Sequence, residues 1–176
     1  QIWKMWEDQK KPVATYLKAK PYYIPGNMPL VIFNLTKKGL DNVNVRRAIA
    51  HAIDYPNIAS KAMSDYSDVV NPSLIVPKGS EEKFFNKSAV DAEGWTFDAA
   101  KAVEILEKDA GAKKGSDGIY VLPDGTRLGP WKLITPTGWT DWNTSCEIVA
   151  KSLQAVGIDV STNFPQAATM QAAMQT

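Results

Sequence analysis

Histidine and cysteine are almost missing from these 176 residues: His51 and Cys146 are the single example of each. One cysteine excludes an internal disulfide and the multi-cysteine zinc sites. With one histidine as well, nucleophilic and zinc chemistry have no visible parts, and neither HExxH nor GxSxG occurs. Excess charge is missing too. Lys+Arg 20 stand against Asp+Glu 19 without a long basic run, which argues against nucleic acid as a partner because phosphate neutralisation needs clustered cations. No stretch approaches the roughly 20 apolar residues of a membrane span. A signal-peptide pattern is absent and the chain opens at Gln1, so the sequence reads as a mature protein or a piece of a longer one.

What is present suits a soluble globular chain. Its composition, 44% hydrophobic and 22% charged, predicts one domain over 1–176 with a proper core. "PLVIFNL" (29–35) reads as a buried strand, a short apolar run that turns polar after Leu35. In "NVRRAIAHAID", Val45, Ala48, Ile49, Ala52 and Ile53 make one apolar helix face, with Asn44 as N-cap. A short helix is expected after Asp54, with Pro56 in its first turn. Pro72 and Pro77 hold "NPSLIVPKGS" out of helix. "FDAAKAVEILEKDAG" repeats the helical spacing through Ala99, Ala102, Val103, Leu106 and Ala110, capped by Asp98 and ended by Gly111. "IYVLPDGTRL" predicts a hairpin, and "WKLIT" the strand after it.

The following helix, "TSCEIVAKSLQAVG", carries Thr144 and Glu147 at capping-box spacing and Gly157 as its stop. Cys146, Val149, Ala150, Leu153 and Val156 line its buried face, which makes Cys146 a small hydrophobe and not a nucleophile. "GIDVST" starts the next strand. Between strand and helix lies "TPTGWTDWN", which sets Trp139 and Trp142 among small polar residues. Ligands of open α/β sheets bind at such strand ends. Each ring either plugs the loop onto the helix or presents a face to a ligand. Asp141 is a solvated loop carboxylate or cap, or an acceptor for ligand hydroxyls or an amine, and Asn143 stands beside it.

Other residues read as structural. His51 flanks an amphipathic helix without a second histidine, Arg46 anchors that helix by a salt bridge, and Trp131 alternates into the core. Trp3, Trp6 and Trp95 pack on the surface. "GAKKGSDG" follows a helix and lacks the Gly-Lys-Ser/Thr ending, so it is no phosphate loop.

"VNVRRAIAHAID", "FDAAKAVEILEKDAG" and "EIVAKSLQAVGIDV", in that order, resemble the extracytoplasmic solute-binding proteins of ABC importers, family 5, the dipeptide/oligopeptide/nickel class. Phe33-Asn34 fits the strand before the first of these helices in that family, and the resemblance covers about 29–160. It implies an α/β fold, a mixed sheet flanked by helices, as one lobe of a type II periplasmic-binding-protein-like fold. It implies helices near 44–54, 98–110 and 144–156. It also implies an exported, periplasmic or extracytoplasmic protein that works with the missing lobe of its own chain and a membrane ABC permease. Its members are longer and two-lobed, so this chain reads as a partial lobe, ending in the uncapped helix "QAATMQAAMQT". No enzyme activity, cofactor or metal is expected.

The solute is an oligosaccharide or an oligopeptide. Six tryptophans and the Gly-Trp-Thr-Asp-Trp run favour sugar rings stacked on indole faces, with Trp139, Asp141, Trp142 and Asn143 as the ligand-binding set. A glycosidase-like carboxylate pair stays open because Asp and Glu are abundant, as does a purely structural module.

Overall fold

The computed structural model describes residues 2–17, 19, 23, 28–69, 71–76 and 79–175. Pro77 and the side chain of Trp3 lie outside what is described. The chain divides into two compact units, 1–29 with 55–95, and 30–54 with 96–176.

The first unit is helical and irregular. It holds α1 (Ile2–Glu7), α3 (Tyr55–Asn57) running into a π-helical turn (Ile58–Ala62), a 3-10 turn (Glu82–Phe84) and α4 (Lys87–Glu93). Helix α3 starts directly after Asp54 with Pro56 in its first turn, as expected where no intrahelical N–H is needed. Asn86 caps α4 by accepting from the Ala89 amide. The described part of 71–80 is irregular. Trp6 and Trp95 are half-buried.

The second unit holds the core. Among the described residues every buried hydrophobic side chain belongs to it. Helix α2 (Val43–Ala52) buries Val45, Ala48, Ile49 and Ala52, the face expected from i, i+3, i+4 spacing, and Ile53 is buried just beyond. Its cap is Asn42, not Asn44. The Asn42 carbonyl oxygen of the side chain accepts from the Asn44 and Val45 amides, while Asn44 Nδ2 donates to the Asp109 carbonyl at 2.8 Å. Two asparagines two residues apart are equivalent in sequence, and the tertiary partner at Asp109 decides between them. Arg46 anchors the helix through carbonyls instead of a salt bridge, Nη1 donating to Leu40 at 2.8 Å and Asp41 at 3.0 Å. His51 is structural. Its Nδ1 lies 3.0 Å from the Thr96 carbonyl, and its own carbonyl accepts from the Asp98 amide at 2.8 Å.

Helix α5 (Ala99–Glu104) packs on α2 and continues as a π-helical turn (Ile105–Asp109). Asp98 caps it through the Lys101 amide at 2.9 Å. The wide turn departs from the 3.6-residue period. It buries Ile105 beside Leu106, while Ala99, expected on the buried face, is exposed.

A short hairpin follows, β1 (Lys113–Lys114) antiparallel to β2 (Tyr120–Val121). The expected Pro-Asp-Gly turn closes next to it, with Val121 bridged to Arg127 and the Leu122 amide bonded to the Thr126 carbonyl at 2.8 Å. Tyr120 is buried, and its hydroxyl donates to Glu107 Oε1 at 2.7 Å. Arg127 clamps two carboxylates. Nε and Nη2 reach Asp117 Oδ2 at 3.0 Å, and Nη1 reaches Asp159 Oδ2 at 2.6 Å.

The last layer is a βαβ unit. β3 (Trp131–Ile134) leads into α6 (Thr140–Ala155), and β4 (Val160–Asn163) returns parallel to β3, with Trp131 opposite Val160 and Ile134 opposite Asn163. Gly129 before β3 is at φ +115, and a Cβ there would stand 2.1 Å from the Asp159 carbonyl oxygen, so only glycine allows the approach. Gly157 stops α6 at φ +84. α7 (Ala167–Ala173) follows with no side-chain cap. Parallel and antiparallel pairing are both present, but they fall in two separate two-stranded sheets.

Two further sequence expectations fail. Residues 29–35 form no strand, and Leu30, Ile32 and Leu35 are exposed at 58%, 78% and 55%. A strand exists only with a neighbour to take its N–H and C=O groups, and no described segment provides one. Trp131 is half-buried, its indole lying over Gly39 instead of filling the core.

Leu106→Ala empties a fully buried site, and should lower the stability of the larger unit by about 2–5 kcal/mol, read from the urea midpoint. The Asp117 carboxyl is held below the usual carboxylate range, first by the Ile119 amide and then by Arg127. A lowered value contributes stability above the unfolded-state value, and that contribution is lost as pH falls through the folded one. The clamp should therefore weaken below about pH 4, and Arg127→Met should flatten that part of the stability profile.

Candidate functional site

Parallel pairing puts the C-terminal ends of β3 and β4 on one edge, and the tryptophan loop starts there. Two main-chain bonds hold it down: the Thr135 amide to the Asn163 carbonyl at 3.3 Å, and the Thr137 amide to the Pro165 carbonyl at 2.8 Å. The loop turns at Gly138, and α6 begins at Thr140.

That start is four residues earlier than the Thr144/Glu147 spacing predicts. Thr144 lies inside the helix, where its hydroxyl bonds back to the Thr140 carbonyl at 2.8 Å. Ser145 does the same to Asp141. The helix uses Asp141 and Asn143 to close its first turn. Asp141 Oδ1 accepts from the Trp142 amide at 2.9 Å, placing a carboxylate where the helix dipole favours negative charge. Asn143 Nδ2 donates to the Pro136 carbonyl at 3.0 Å, and the Asn143 amide donates to Trp139 at 2.7 Å. These bonds, all within residues 136–145, replace the capping box expected at Thr144.

Trp139, Asp141, Trp142 and Asn143 are thus brought together within the last loop residue and first turn of one helix. Trp139 is 48% exposed and Trp142 half-buried. Their rings meet edge to face, centroids 5.2 Å apart at 89°. Such a pair adds about 0.5–1.5 kcal/mol beyond area burial, so Trp142 biases the orientation of the exposed ring. Asp141 is exposed.

One residue was missed. Thr135 is 2% exposed at the end of β3, and its Oγ1 is a buried side-chain polar atom without a hydrogen-bond partner among the described residues. Its place at a strand end was legible, but its burial depends on how α6 covers the strand.

Cys146 sits half-buried on α6, and burial pushes its thiol up to about 11. That removes it as a nucleophile near neutral pH. Among the described residues no group of three His, Cys, Asp or Glu could hold a metal, and no helix is long and apolar enough to cross a membrane.

The pair stands at the C-terminal ends of parallel strands, the edge at which open α/β sheets bind their ligands. The profile of the bacterial extracellular solute-binding proteins, family 5 (middle part), matches residues 1–176, and the chain belongs to this family. Members of the family carry substrates and do not transform them. An oligopeptide-transporter periplasmic binding protein of Thermotoga maritima, solved with mannohexaose bound, superposes with TM-score 0.81 at 29% identity, covering 96% of this chain and 31% of that one. A second structure of that protein gives TM-score 0.83 over 92% of this chain and 30% of that one, again at 29% identity. The oligopeptide-binding protein AppA of Bacillus subtilis, in complex with a nonapeptide, shares the fold at TM-score 0.65 and 21% identity, over 81% of this chain and 27% of that one. The chain therefore spans about a third of the length of these proteins. No curated protein sequence matches it.

Because the folded value of the Cys146 thiol is raised, it stays protonated at pH 8. Iodoacetamide should label the folded protein much more slowly than the denatured chain, as mass spectrometry would show. Equal rates would mean that the thiol is free.

Proposed function

We propose that these residues are part of one lobe of an ABC-importer solute-binding protein, exported to the periplasm or extracytoplasmic face, and that its solute is an oligosaccharide. The observation that carries this reading is the Trp139 ring, exposed at 48% and steadied edge to face by Trp142. A rigid indole at a strand end is a stacking surface for the apolar face of a sugar. Asp141, exposed beside it, is an acceptor for sugar hydroxyls, and Asn143 keeps the loop in place. The mannohexaose bound to the Thermotoga relative supports the same ligand class. Partners are the other lobe of the same polypeptide and a membrane permease, and the carrier acts without a cofactor.

An oligopeptide is the second reading. It is favoured by the nonapeptide bound to AppA, a likeness that reaches the fold alone. Asp141 would then meet a ligand amine.

Titration calorimetry on the whole protein, with mannohexaose and a nonapeptide as probes, separates the two. Saturable binding of the oligosaccharide is expected, weakened about tenfold by Trp139→Ala or Trp142→Ala. Trp139→Ala should cost well under the roughly 3–5 kcal/mol of an emptied core tryptophan site. Binding of the nonapeptide alone would replace the sugar by a peptide, and cleavage of the oligosaccharide would overturn the carrier reading. Residues 1–176 alone should bind weakly, because affinity in two-lobed carriers comes from closing both walls on the ligand.

A further inference from the structure

The tryptophan loop and the segment after β4 share one edge, because the Thr135 and Thr137 amides bond to the Asn163 and Pro165 carbonyls. Charge on the two segments that meet there is one-sided. Residues 133–150 carry Asp141 and Glu147 but no lysine, arginine or histidine, and 160–176 carry no charged side chain. The chain has 20 Lys+Arg, all of them outside these two segments. The nearest cations along the chain are Lys132, inside β3 opposite Ser161, and Lys151, about 15 Å of helix rise beyond Asp141. What the edge exposes instead is Thr137, Thr140, Asn163 and Gln166, whose hydroxyls and amides both donate and accept. A helix N-terminus ordinarily attracts anions. Here the exposed Asp141 carboxylate already takes the Trp142 amide at 2.9 Å and puts a negative charge on that end of α6.

We infer that Asp141 makes the site selective by charge, so that a neutral oligosaccharide is taken and a chain of uronic acids is turned away. This narrows the oligosaccharide reading above and rests on it. An oligosaccharide stacked on Trp139 extends past the ring and over the first turn of α6, where Asp141 is exposed. A neutral sugar brings hydroxyls there, and a hydroxyl donating to a carboxylate makes a charge-assisted hydrogen bond, stronger than one between neutral groups. A uronic acid brings a second carboxylate to the same place. The two like charges repel, and neither segment of the edge offers a lysine or arginine to pair the incoming one. One side chain thus favours the first class of solute and opposes the second.

Titration calorimetry on the full-length protein tests this, with mannohexaose and hexamannuronate, the same six rings with a carboxylate at C6, as probes. Mannohexaose should bind about tenfold or more tightly than hexamannuronate at low salt. The gap should shrink as added salt screens the repulsion. Asp141→Asn keeps the shape and an acceptor for the Trp142 amide but removes the charge, and should close most of the gap. If that variant fails to fold, Asp141→Ser, which still suits the start of a helix, carries the same expectation. Glu147→Gln, about 9 Å further along α6, removes an equal charge and should leave the gap as it is. Equal binding of the two hexasaccharides overturns the charge selection and leaves the sugar reading standing. So does a gap that survives the loss of the Asp141 charge, or one that Glu147→Gln closes as well, since net charge is then the cause. Binding of neither hexasaccharide removes the sugar reading and the selection with it.

Discussion

Parallel pairing of β3 with β4 is the constraint on which the larger unit depends. Two parallel strands cannot be joined by a tight turn, so the chain must cross over, and it does so as α6. The crossover must bury one face against the strands, which accounts for Ile148, Val149, Ala150 and Leu153. It also leaves the C-terminal ends of both strands on a single edge. The tryptophan loop exists at that edge because α6 must begin there, and the pins at Asn163 and Pro165 hold the loop to the end of the second strand.

Around this unit the polar groups are matched to the packing. Asn42, Asp98 and Asp141 each satisfy free amides at the start of a helix, and the His51 carbonyl takes the amide of Asp98. Arg127 gathers the β1–β2 turn and the start of β4 around one guanidinium, whose planar fork serves two carboxylates at once. Glycine at 129 completes the junction, since nothing larger fits against Asp159. The same economy explains why Asn143, a residue with the chemistry of a ligand contact, spends its amide group on the Pro136 carbonyl. Asn143 thereby braces the loop that carries the exposed Trp139.

Family membership sets the scale of what these residues do. The chain spans about a third of the length of these relatives, and under the proposed reading surfaces that look unfinished are expected of it. Both the exposed apolar run at 30–35 and the absence of buried hydrophobics among the described residues of the smaller unit have that character. The solute contacts would come from loops at strand ends, which is where carriers of one fold differ from one another.

Helical periodicity alone determined the face of α2 and most of that of α6, where Ile148 is buried and Cys146 only half-buried, because apolar spacing at 3.6 residues has few other solutions. The Asp98 cap, the Gly157 stop and the strands at 131–134 and 160–163 were legible for the same local reason. Three matters were settled only in space. The choice of Asn42 over Asn44 as a cap rested on a carbonyl 65 residues away. The early start of α6 at Thr140 rested on Asn143 reaching back to Pro136, against a capping box that local sequence favours. The strand expected at 29–35 stayed unformed, since strand propensity supplies no hydrogen bonds until a neighbour does. The tryptophan pair falls between the two kinds. Its loop and strand-end position followed from the order of elements, but which ring meets water followed from the first turn of α6, where three-residue spacing turns Trp142 inward and edge-on beneath Trp139.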